Sequence, residues 1–184
     1  MIMLDQMSQR LHACRTFEDA VRRIVIDVVA LHGAEFGNIQ MPIRDGLVIV
    51  GQHGLDAAFL KTFRKVRRED DCACGRALRK RQSVIVADVT TDEAYAPFRA
   101  AAKRAGYRSV QSTPMLTSDG ELVGLVSTLF ANAYMPTPIE MNTLSLYCRL
   151  AAGRLLLLLE GQELCAKAQE LHEKLYSGVG EPIG

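Results

Sequence analysis

Apolar positions at the start of the chain recur every three or four residues, at Leu4, Met7, Leu11 and Cys14. This spacing predicts a helix with a narrow, coiled-coil-like seam. Thr16, followed by Phe17, Glu18 and Asp19, has the form of an N-cap with acids in the first turn. Phe17, Ala20, Val21, Ile24, Val25, Val28 and Leu31 then make the wide apolar face of a second helix, which Gly33 ends. Beyond it the period shortens to that of a strand. Phe36–Met41 alternates Asn38 and Gln40 with Ile39 and Met41, Arg44-Asp45-Gly46 reads as a hairpin turn, and Leu47–Gln52 is β-branched and apolar.

Asp56 reads as the N-cap of a helix over residues 57–66 with Phe59, Leu60 and Phe63 on one side. A polar loop over 67–74, a short helix over 75–81 and a strand over 83–89 follow. Pro97 suits the first position of a helix through Ala105, closed by Gly106. Strands over 108–116 and 121–131 flank a second hairpin turn at Ser118-Asp119-Gly120. After Pro136 and Pro138, one long helix is expected from Ile139 to about Tyr176, with Leu157, Leu164 and Leu171 seven apart. Two hairpins and helices around them make an α+β domain with an at least partly antiparallel sheet.

The chain has 184 residues, 48% apolar and 23% charged, which is enough to bury a core without disulfides. Its net charge of +1 excludes a wholesale polybasic nucleic-acid binder and an acidic tail protein. The start lacks the form of a signal peptide, and the longest apolar run, Leu155–Leu159, is far below the ~20 residues of a membrane span. Five cysteines are an odd number for a bridged framework. The expectation is a cytoplasmic protein with reduced thiols, no membrane contact and a flexible tail over 177–184. Locally the charge divides. Residues 61–108 hold 13 Lys or Arg against six Asp or Glu, and the rest holds nine against 15. A basic half-surface of this kind either steers an anion or an acidic partner, or is plain solvated helix.

Five strings in order resemble the GAF domain, a small sensory fold of signalling proteins: Phe36–Met41, Cys74–Leu78, Val86–Val89, Gln111–Leu116 and Asp119–Thr128. The match spans about Thr16–Leu159. It divides the chain into an N-terminal helix (1–15), the GAF domain (16–159), a helical extension (160–176) and the tail. The resemblance implies a GAF/PAS-like antiparallel sheet of five or six strands. Terminal helices cover one face, connecting helices and loops roof the other, and a ligand pocket lies between sheet and roof. It also implies a homodimer through the terminal helices, for which Leu4, Met7 and Leu11 at one end and Leu157, Leu164 and Leu171 at the other are candidate seams. The alternative is that both stripes pack within one chain.

Known chemistries of the family are largely missing. The Asn-Lys-Phe-Asp-Glu signature of cyclic-nucleotide binders and the cysteine setting of bilin binders are absent, and His53 is the one histidine placed for a haem. Cys74-Gly75 resembles the reactive loop of free-methionine-sulfoxide reductases, but the strand after Gly106 lacks their further cysteine. Cys72 and Cys74 are candidate redox thiols, since a helix start and nearby Arg76, Arg79, Lys80 and Arg81 favour a thiolate while Glu69, Asp70 and Asp71 oppose it. Otherwise Cys74 is a small buried residue at a tight turn. His12, His32 and His172 read as solvated or helix-end residues, and Cys14, Cys148 and Cys165 as core or interface. No nucleophile–base pair, metal cluster or phosphate loop stands out, so catalysis, metal and cofactor are not expected.

Polar residues inside strands point instead to a bound small molecule. Asn38 with Gln40, and Gln111 with Thr113, each face one way off a strand, and buried polar groups need partners. Either a ligand supplies them, or these faces are solvated or bonded to local backbone. His53, Phe98, Arg99 and Ser127 are further candidates for the pocket wall or roof, and with one arginine nearby the expected ligand is small and polar or anionic. The chain carries no kinase, cyclase or DNA-reading motif, so either output passes to a separate signalling protein, or the chain is an orphan sensor or keeps a degenerate pocket that serves only dimerisation.

Overall fold

The computed structural model describes residues 2–178; most of the expected tail thus lies outside the described residues. Helices α1 (Ile2–Ala13) and α2 (Phe17–His32) lead into β1 (Phe36–Ile43) and β2 (Gly46–His53). Then come α3 (Ala57–Thr62), β3 (Lys65–Val66), α4 (Ala73–Lys80) and β4 (Val84–Val86). A 3₁₀ turn over Glu93–Phe98 leads into α5 (Arg99–Ala105), followed by β5 (Ser109–Leu116), β6 (Leu122–Phe130), α6 (Pro138–Leu157) and α7 (Leu164–Ser177). The six strands form one sheet in the order β3-β2-β1-β6-β5-β4, every pair antiparallel. Among the described residues no helix is long and apolar enough to cross a membrane.

Strand alternation splits the core in two. Ile39, Met41, Val48, Val50 and Val126 pack under α1, α2, α6 and part of α7, while Leu47, Ile49, Val110, Leu125 and Leu129 pack under α3, α4 and α5. Thr16 and Gly33 cap α2 as expected, the glycine at φ 60° in the left-handed region. Thr137 and Glu140 form a capping box at the start of α6.

Several boundaries differ from the sequence reading. The helix over 57–66 stops at Thr62, and Lys65–Val66 pairs with Leu47 and Val48 instead, burying Val66. Of residues 83–89 only Val84–Val86 join the ladder with β5. Pro97 sits inside the 3₁₀ turn, whose start is capped by Asp92. The single long helix is two. Glu160 at φ 50° and Gly161 at φ 86° reverse the chain, and α7 lies beside β2 and β1, where its His172 Nδ1 is 2.9 Å from the Ile49 carbonyl. β3 covers only the first residues of β2, so α7 shields the remaining edge.

This path disposes of the expected seams as drawn. Met7 and Leu11 are buried in the chain's own core, as is Leu171, while Leu4 and Leu164 pack against it. Leu157 alone of the second set is strongly exposed, at 73%. Helices α1 and α7 therefore share the core of the domain rather than extending from it.

Candidate functional site

The buried polar residues fall on opposite faces of the sheet. In β1, Ile39 and Met41 point to the terminal helices, which turns Asn38 and Gln40 to the roof. Asn38 pairs across the ladder with Ser127 of β6, and Ser127 with Ser112 of β5. The two serine hydroxyls are 2.8 Å apart, and both reach Cys74 Sγ of α4, at 3.4 Å from Ser127 and 3.5 Å from Ser112. Asn38, Gln40, Ser112 and Ser127 are each no more than 1% exposed. Asn38 Oδ1 and Gln40 Oε1 have no hydrogen-bond partner.

Gln111 and Thr113 do not join this group, because Ser112 between them takes the roof side. Gln111 Nε2 donates to Thr113 Oγ1 at 3.1 Å, and Ser83 Oγ donates to the same hydroxyl at 3.2 Å. Thr128, the ladder partner of Gln111, lies on this helix-covered face, where its hydroxyl meets His32 Nδ1 at 3.3 Å. His32 Nε2 lies 3.4 Å from the Glu140 carbonyl, which can only accept, so this ring carries its proton on Nε2 and accepts from Thr128 through Nδ1. Burial lowers the pKa of His32, so the residue read as solvated or helix-end is a neutral core histidine closing α2. His53 is also misplaced as a wall residue: it is the exposed last residue of β2, where the chain leaves the sheet through Gly54.

The roof is held by its own charges. Arg76 of α4 makes a bidentate pair with Asp92 (2.8 and 2.7 Å), and Asp92 also caps the 3₁₀ turn. Arg99 Nε and Nη2 donate to the Val89 and Asp92 carbonyls, each at 3.0 Å, so its charge braces the roof loop. Phe98 packs between Phe63 and Tyr95, with ring centroids at 5.7 and 5.6 Å. Tyr95 and Tyr107, missed from the sequence, are both buried with hydroxyls 2.9 Å apart. Burial above all raises the pKa of both phenols, and the two cysteines push the same way.

Cys72 occupies the N-cap position of α4, and Cys74 lies one residue into the helix. Hydrogen bonding from Cys72 first, and then from Ser127 and Ser112, lowers the Cys74 thiol to about 7 against the opposing effect of burial. Cys72 is pushed up, first by donating to Cys74 and then by burial. The thiolate-favouring groups are thus a thiol and two hydroxyls rather than the arginines of α4, since Arg76 is bound to Asp92. Ser112 was hidden in the sequence because its role depends on which β6 residue faces it. Of the other cysteines, Cys148 is buried, and Cys14 and Cys165 are half-buried; all five are free thiols. Among the described residues, no three His, Cys, Asp or Glu side chains gather to hold a metal ion.

The GAF domain family model matches residues 14–154. The GAF domain of a phosphoenolpyruvate-protein phosphotransferase from Coxiella burnetii superposes with a TM-score of 0.72 at 16% identity, over 84% of this chain and 91% of that one. A putative GAF sensor protein from Burkholderia vietnamiensis gives 0.71 at 16% identity, over 86% and 94%. Free methionine-R-sulfoxide reductase from Neisseria meningitidis, solved with its substrate, gives 0.68 at 16% identity, over 86% and 89%. These likenesses carry the fold and nothing finer. No curated protein matches the sequence. The matched segment runs from the start of α2 to the last turn of α6 and takes in the whole sheet and its roof, so the chain belongs to the GAF domain family, whose members are typically sensory modules of signalling proteins.

Proposed function

We propose that this protein is a non-catalytic sensory module that binds a small polar molecule between sheet and roof, with the terminal helices as its output. The observation that carries the reading is the pair of unpartnered amide oxygens, Asn38 Oδ1 and Gln40 Oε1, beside the Cys74–Ser112–Ser127 cluster. A buried acceptor left unpaired costs about 1–3 kcal/mol, which a donor-bearing ligand recovers. Because the free atoms are acceptors and Arg99 is committed to carbonyls, the ligand expected here presents N–H or O–H groups rather than a negative charge. A thermal-shift screen of neutral and amino-bearing metabolites should find a stabilising compound. Gln40→Met should weaken its binding by about tenfold, the loss of one buried hydrogen bond; unchanged affinity would remove Gln40 from the site.

Output through a homodimer remains part of this reading, with the seam moved to α6. Ile139, Leu146, Leu150 and Leu157 lie seven, four and seven residues apart, on one side of this helix, and are 77, 52, 39 and 73% exposed. Its other side packs on β5, α1 and α2, so a shift between two such helices reaches the sheet directly. A second copy presents the same stripe, which suits a two-fold helix pair. Leu146→Glu with Leu157→Glu should give a monomer in sedimentation; a dimer that persists would refute this seam. Signal would then pass to a separate signalling protein in the cytoplasm.

The Cys74 environment favours a second reading, a thiol-based redox protein like free-methionine-sulfoxide reductase. It requires Cys74 or Cys72 to react with a disulfide reagent faster than a free thiol near neutral pH. If neither does, that reading is excluded.

A further inference from the structure

A cleft of about 650 Å³ opens at the hairpin end of the sheet, between the β1–β2 turn, the loop before α4, the end of α4 and the start of β6. Four arginines line it, Arg44, Arg67, Arg68 and Arg81, with no lysine. None of the four forms a salt bridge among the described residues. Three of the nearby acids are engaged elsewhere. Asp45 pairs with Lys65, Asp71 with Arg79, and Asp70 accepts from the Arg67 backbone N–H. Glu69 and Glu121 also line the cleft, leaving arginine in excess.

The wall is built rather than loose. A Cβ on Gly75 would stand 2.1 Å from the Asp70 carbonyl oxygen and 2.8 Å from that of Arg67, so α4 is pressed onto the 67–70 backbone. The side chain of Arg79 donates to the Arg68 carbonyl from the same helix. Arg81 ends α4 at φ 52° in the left-handed region, where glycine is usual. Holding a non-glycine residue in this conformation carries a local backbone cost. Its Nη1 donates to the Gly120 carbonyl at 2.6 Å, which fixes the guanidinium across the cleft and leaves its other donors free.

We propose that this cleft binds a nucleoside phosphate, its phosphates held by Arg44, Arg67, Arg68 and Arg81. Arginine forks match phosphate oxygens in bidentate fashion. Ile43, Leu78 and Leu122 supply an apolar bed for a planar base, and Glu69 and Glu121 are acceptors for sugar hydroxyls or amino groups. The volume lies in the range of small-molecule sites. Neither Asn38 nor Gln40 lines this cleft, so the site does not depend on that group binding anything.

Titration calorimetry with ADP, pyrophosphate and adenosine tests it. ADP should bind, pyrophosphate more weakly and adenosine least, with affinity falling as salt is raised. Arg67→Gln with Arg68→Gln, at exposed positions, should weaken ADP binding by about tenfold or more, and Arg44→Gln in a second variant should also weaken it, as expected for lost charge-assisted bonds. Glu121→Gln should improve pyrophosphate binding by removing a like charge. Gln40→Met should leave ADP affinity unchanged. The proposal is overturned if ADP does not bind, if adenosine binds as well as ADP, if both arginine variants retain full affinity, or if Gln40→Met abolishes binding. A glutamate-rich peptide that displaces ADP at lower concentration would also overturn it, in favour of an acidic protein partner.

Discussion

The two faces of the sheet bury polar groups for different purposes. On the helix face, Asp27 of α2 is 1% exposed and accepts from the Tyr147 hydroxyl of α6 at 2.8 Å. Arg23 lies 2.9 Å from the same carboxylate and Arg10 of α1 at 3.7 Å, so one charge ties three helices together. His32 extends the tie from α2 to β6 and to the start of α6. On the roof face of the sheet the polar groups are amides, hydroxyls and thiols, incompletely matched, with two amide oxygens free beside a thiol whose pKa is lowered. The helix face carries unpartnered atoms too, Gln111 Oε1 at the end of a Ser83–Thr113–Gln111 chain and the Nε atoms of Arg23 and Arg154, but no thiol among them with a lowered pKa. The helix face ties its helices together with a buried charge that has defined partners, while the roof face leaves amide acceptors unpaired.

The contrast can be broken most strongly at Asp27. Asp27→Ala leaves Arg23 and the Tyr147 hydroxyl without their partner and should lower unfolding stability by about 3 kcal/mol in urea titrations, somewhat less than a fully buried pair because both arginines reach solvent. Loss of less than about 1 kcal/mol would mean that the carboxylate is not the tie. On the roof face the expected effect is smaller and depends on pH. The folded Cys74 thiol titrates at about 7 against 9.0 for an ordinary thiol, so between these values the unfolded state binds more protons and stability should rise with pH. Above that window Cys72, shifted upward, reverses the trend. Cys74→Ser should remove the rise in stability from pH 7 to 9, read from denaturation midpoints; a rise that survives would assign it to another group. The smallest effect is expected at Gln40. Gln40→Met replaces an unpaired amide by an apolar chain of similar volume, so ligand-free stability should change by less than about 1 kcal/mol, or improve. A large loss would show that the amide is already satisfied and would count against the proposed pocket.

Some of this was legible from local pattern. The caps at Thr16, Gly33 and Gly106, both hairpins and the apolar face of α2 follow from short-range chemistry that acts within a few residues. Alternation likewise turned Asn38 and Gln40 the same way. What alternation could not give was the side on which Gln111 and Thr113 lie relative to them, because that depends on the register of β5 against β6 and β6 against β1. The heptad of Leu157, Leu164 and Leu171 failed for a related reason. It assumed an unbroken helix, and the left-handed pair Glu160 and Gly161 ends that assumption.

The local charge imbalance was visible at the outset, but its meaning was not. Thirteen cations between residues 61 and 108 divide, in the fold, between roof braces such as Arg76 and Arg99 and the exposed arginines of the cleft. By itself the sequence determined the family, through strings that resemble it, and most of the helices, strands and caps, through periodicity and contacts between near neighbours; β3 and the break between α6 and α7 were beyond it. Only the tertiary structure decided which face each polar residue serves, which arginines are already paired and which leucines are free to meet a second chain. Those depend on residues a hundred or more positions apart, such as Asp27 and Tyr147, being brought within hydrogen-bond reach.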